Sequence, residues 1–143
     1  MKLYIGIDPG INGAVAFIPT TGNPWVHKMP ETPADLRDLL RDSICLAEPI
    51  AALEFVRSSP QMGVVSSFTF GRGSGRLEQV LTDFYIPFTV IRPQVWQKHL
   101  GCLTGGNKNV TKEYAEKLFP TIKVTKINAD ALLIAEYNRL THQ

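Results

Sequence analysis

The sequence predicts an α/β domain in which a mixed sheet, three antiparallel strands followed by parallel strands, is flanked by helices. Three observations predict it. Two short alternating runs rich in β-formers lie on either side of a glycine turn at the start of the chain. A nearly continuous apolar run, Ile50 to Val56, has the composition of a strand covered on both faces. Around and after that run, apolar residues recur at helical spacing, the alternation that joins parallel strands by right-handed crossovers.

Taken in order, Lys2 to Asp8 and Ala14 to Ile18 form the arms of a hairpin around Gly10 to Gly13. A third strand, Trp25 to Lys28, follows the turn signal Thr21-Gly22-Asn23-Pro24. Thr32 before Pro33 marks a helix start, and Leu36, Leu39, Leu40 and Ile44 carry its apolar stripe to about Ala47. After the strand Ile50 to Val56, Gln61 to Phe84 reads as a helix interrupted by Gly71-Arg72-Gly73-Ser74-Gly75. Phe88 to Ile91 is a further strand ending before Pro93, and short helices are expected at Val95 to Leu100 and Thr111 to Leu118. Asn128 to Leu140 is a strong helix with Ala131, Leu132, Ile134 and Ala135 on its apolar side.

With 143 residues, 44% of them apolar, the chain reads as one domain spanning residues 1–143. Cys45 and Cys102 lack ligand-spaced partners and read as free thiols in a reducing compartment. No apolar run approaches the ~20 residues of a membrane span, and the first residues enter a strand pattern, so a soluble, cytoplasmic protein is expected. The net charge of +2 decides nothing, but its distribution is uneven. Acids concentrate early, while Arg57, Arg72, Arg76, Arg92, Lys98, Lys108 and Lys112 form a basic middle that either faces phosphate or is a solvated mixed surface.

Three carboxylates could carry chemistry. Asp8 ends the first strand at a tight glycine turn; it is either a turn stabiliser or a ligand to a metal or phosphate. Glu54 sits in an apolar strand where an unpaired charge is costly, so it needs an Arg or Lys, or a cation shared with another acid. Asp130 either complements a helix dipole or joins them. In the proposed sheet order all three can converge. Hard oxygen donors suit Mg²⁺, and paired ions about 4 Å apart would support in-line attack of water on a phosphodiester.

The segments IGIDPGING at 5–13, LEFV at 53–56, PQVWQK at 93–98 and ADALLIAEY at 129–137 together resemble the RuvC-type Holliday junction resolvases, especially the short forms of phages and prophages. The resemblance runs from end to end with the motifs in family order. It implies an RNase H-like domain that forms a homodimer and nicks opposed strands of a four-way or branched DNA junction using Mg²⁺ or Mn²⁺, in a bacterial or phage-infected cell. Asp8, Glu54 and Asp130 match three of the family's four acids. At the fourth, one helical turn before Asp130, stand Ile127 and Lys126, with only the neutral oxygen of Asn128 nearby. A junction-binding protein with weakened catalysis is therefore the alternative. A nucleotide-binding relative of the actin-like ATPases is a third reading, but the chain lacks the second lobe needed to close on ATP.

For DNA contacts, Arg72 and Arg76 on the expected glycine loop, with Arg57, Lys98, Lys108 and Lys112, could meet phosphates. Phe68 and Phe70 either wedge at unpaired bases of the junction or belong to the helix core. Trp96 is expected to be structural, and His27, His99 and His142 have no ligand spacing.

Overall fold

A computed structural model describes residues 1–143 and contains a five-stranded sheet with five helices. The elements are β1 (Lys2–Asp8), β2 (Ala14–Pro19), β3 (Trp25–Lys28), α1 (Pro33–Ser43), β4 (Glu48–Glu54), α2 (Val64–Asp83), β5 (Phe88–Ile91), α3 (Pro93–Leu100), α4 (Lys108–Leu118) and α5 (Ala129–Thr141). The sheet order is β3-β2-β1-β4-β5; the first three strands pair antiparallel, and β1, β4 and β5 pair parallel. This is the mixed sheet that the sequence predicts.

Two apolar layers cover the sheet. One packs Leu36 and Leu40 of α1 and Leu77 and Leu81 of α2 against Leu3, Ile5 and Leu53. The other packs α3, α4 and α5 against Tyr4, Ala16 and Ala52, with α5 buried along most of its length. The Thr32 side chain caps α1 by accepting from the backbone N–H of Asp35 at 3.1 Å, and Pro33 stands in the first turn. The acids of α1 are held in surface ion pairs, Asp38 with Arg37 and Arg41, and Asp42 with Arg41.

Gly6 fixes how α5 lies on the sheet. A Cβ there would run into the backbone nitrogen of Ala135 and the backbone oxygen of Ala131, so only glycine lets the helix rest directly on β1. Asn138, fully buried on α5, donates from Nδ2 to the carbonyls of Ile5 at 3.1 Å and Ile50 at 2.8 Å, tying the helix to two adjacent strands.

Several boundaries differ from expectation. The expected interruption at 71–75 is absent, and α2 runs unbroken through its three glycines. Each interior glycine costs about 1 kcal/mol of helix propensity, but packing of Leu77, Val80 and Leu81 outweighs that cost. Strand β4 begins and ends two residues earlier than expected, which makes Glu54 its last residue. Helix α1 stops at Ser43, placing Cys45 in the turn before β4. Both cysteines are free; Cys45 is exposed and Cys102 buried. No helix is long and apolar enough to cross a membrane.

Candidate metal centre

The site forms where the parallel strands end. Ile7 pairs with Leu53, so the next residues, Asp8 and Glu54, leave neighbouring strands side by side. Beyond Asp8 the chain turns sharply: Gly10 has φ of 104°, a conformation that favours glycine, and Gly13 N–H returns to the Gly10 carbonyl at 3.0 Å. Asp130 comes from the first turn of α5. All three carboxylates line one cleft of about 450 Å³, together with Asn12, Thr111 and Lys108 from the start of α4.

Burial sets the electrostatics of this cleft. Loss of solvent, then the charges of Glu54 and Asp130, push the Asp8 carboxyl up to about 8, against an opposing pull from Lys108. Burial likewise raises Glu54 to about 7; the Trp96 hydrogen bond and Lys108 lower it, and Asp130 raises it. No group of three or more His, Cys, Asp or Glu side chains is drawn together at metal-holding spacing. The donor chemistry nevertheless fits a hard divalent cation, because the cleft gathers carboxylates whose ionisation is costly until a positive charge joins them.

The fourth position offers no such donor. Lys126 and Ile127 are exposed. The Asn128 side chain is committed to backbone, its Oδ1 accepting from Thr125 N–H at 2.8 Å and its Nδ2 donating to the Lys123 carbonyl at 3.1 Å.

The basic residues divide. Lys108 lies in the cleft, and Arg57 and Lys98, both exposed, directly follow the cleft-lining Val56 and Gln97. Arg72 and Arg76 are on helix α2 rather than a glycine loop, lining an adjoining cavity of about 540 Å³ that shares Gly10, Ile11 and Phe70 with the acidic cleft. Lys112 pairs with Glu116 at 2.9 Å, one helical turn away on the surface. Phe68 is 67% exposed, with the Arg72 guanidinium 5.8 Å from its ring centre, and Phe70 is partly exposed in both cavities; neither is core.

One contact escaped the sequence. The buried Trp96 indole N–H donates to Oε2 of Glu54 at 2.7 Å. The available signal was a tryptophan one turn into a proline-started helix, since a buried indole N–H needs an acceptor.

No family model and no curated protein matches the chain. Solved structures do. Thermus thermophilus RuvC in complex with a Holliday junction substrate superposes with a TM-score of 0.69 at 16% identity, covering 99% of this chain and 94% of that one. A second Thermus thermophilus RuvC structure gives a TM-score of 0.59 at 16% identity, covering 94% of this chain and 92% of that one. The chain therefore has the RNase H-like fold of RuvC.

Proposed function

We propose that this protein is a structure-selective, divalent-metal-dependent endonuclease that resolves four-way or branched DNA by hydrolytic nicking of opposed strands. The observation that carries the reading is the shared cleft: Asp8, Glu54 and Asp130 arrive from three elements at the strand ends of a fold that, in Thermus thermophilus RuvC, is seen with a Holliday junction substrate. Those three side chains would hold Mg²⁺ or Mn²⁺. When bound, the cations of a two-metal hydrolase activate a water and stabilise charge on the leaving 3′ oxygen. Mg²⁺ keeps several of its waters, so three carboxylates can serve where a fourth donor is lacking.

The chain's own groups do the positioning. Lys108, inside the cleft, offsets the acids and gives a phosphate a positive contact. Arg57 and Lys98 extend that contact outside the cleft, and Arg72 and Arg76 grip the strand along the adjoining cavity. Lys112, already paired with Glu116, has a lesser part. Phe68, exposed beside Arg72, and Phe70, between the cavities, are the junction wedge. Helix α2, long and of mixed apolar content with Val64 87% exposed, is the surface for a second copy, and a homodimer would present two clefts to opposed strands.

The test is a labelled four-way junction and a matched linear duplex, each incubated with the protein in Mg²⁺, Mn²⁺ or chelator. Symmetric, metal-dependent nicks confined to the junction are expected. The missing fourth donor at Ile127 and the committed Asn128 amide favour a second reading, a junction binder with weakened catalysis. A band shift without nicks under either metal would establish that reading instead.

A further inference from the structure

Trp96 has no exposed surface, and its indole makes the single hydrogen bond that any cleft carboxylate receives from a side chain. Its helix is firmly placed. Pro93 starts α3, Gly101 closes it at φ of 72°, and the His99 ring meets Tyr137 of α5 edge-on at 5.2 Å. The same short helix thus braces both the strand that ends in Glu54 and the helix that carries Asp130.

We propose that Trp96 is a positioning residue for the metal centre, its indole N–H holding Oε2 of Glu54 so that Oε1 remains the oxygen free for a cation. The proposal rests on the metal-site reading above. An indole N–H is a donor only: it does not ligate, does not compete for the cation and does not ionise at any working pH. In a dry surrounding its bond is stronger than in water, and it restricts the rotation of a carboxylate at the end of a strand. Groups that orient metal ligands in this way typically contribute ten- to a hundredfold in affinity. Were Glu54 merely an acceptor for a core tryptophan, metal affinity would be indifferent to the loss of the bond.

The experiment uses the full chain with Trp25→Phe, so that Trp96 is the only tryptophan, and titrates Mg²⁺ by calorimetry and by tryptophan emission without DNA. Emission is expected to change with the midpoint of the heat signal, and Glu54→Gln is expected to abolish the change. Adding Trp96→Phe, which keeps an aromatic ring but no donor, is expected to weaken Mg²⁺ binding by about tenfold or more. Affinity within twofold of the parent overturns the proposal. So does an emission signal that stays flat while heat reports binding, a readout that holds even if the phenylalanine variant folds poorly. If the parent chain takes up no Mg²⁺ at all, the metal-site reading itself fails.

Discussion

Replacing Asp8 with Asn removes a charge from a carboxyl that the cleft raises from 3.8 to about 8. Below 3.8 the group is protonated whether the chain is folded or not, and the substitution changes little. Between 3.8 and about 8 the folded state keeps a proton that the unfolded state releases, so stability falls as pH rises, and above about 8 the whole penalty is present. At about 1.4 kcal/mol per unit, the ceiling between pH 5 and pH 8 is about 4 kcal/mol. Partial exposure of Asp8 reduces this to about 2 kcal/mol, near 6 °C in Tm for a chain of this length. The assay is thermal unfolding of wild type and Asp8→Asn at pH 5 and pH 8.5 in chelator, then with Mg²⁺. The variant should gain about 6 °C relative to wild type on going to pH 8.5, and Mg²⁺ should raise the wild type but not the variant. A gap that stays constant with pH would refute the reasoning, because neither burial nor the neighbouring acids would then be raising the Asp8 carboxyl.

Arg72→Ala and Arg76→Ala should each weaken junction binding and lower the slope of log affinity against log salt by about 1, read by fluorescence anisotropy; an unchanged slope removes that arginine from the interface. Phe68→Ala should leave Tm within about 1 °C, since the side chain is exposed, yet reduce junction affinity by about 1 to 3 kcal/mol if it stacks on a base. A 2-aminopurine placed at the branch point reports the stacking directly, and equal fluorescence with both proteins argues against the wedge. Gly6→Ala should lower the urea midpoint steeply, by 3 kcal/mol or more of stability, because strand and helix backbones must part.

The hairpin, the order of elements and the three acids were legible because each rests on local pattern: strand alternation, a glycine turn, and an acid out of place in an apolar run. What failed was non-local. Glycines at 71, 73 and 75 lower helix propensity by themselves, and only the burial of Leu77 and Leu81 against the sheet shows why α2 continues through them. For Phe68 and Phe70 the sequence leaves wedge and core both open, because spacing cannot tell which face of a helix meets the sheet; in the structure the first half of α2 stands away from it.

The site itself depends on the least conspicuous of these long-range terms. Because Gly6 has no side chain, α5 settles directly on β1, and its first turn comes level with the strand ends. Asn138 then ties the helix to Ile5 and Ile50, which lie in the two strands that end in Asp8 and Glu54. That seating carries Asp130 to the other two acids, and burial, with their proximity as the smaller cause, holds Asp8 and Glu54 far above ordinary carboxylate values. Lys108 offsets only part of that charge. The fold has thus spent packing energy to bring together groups that repel, and a divalent cation is the ligand that would turn that repulsion into binding.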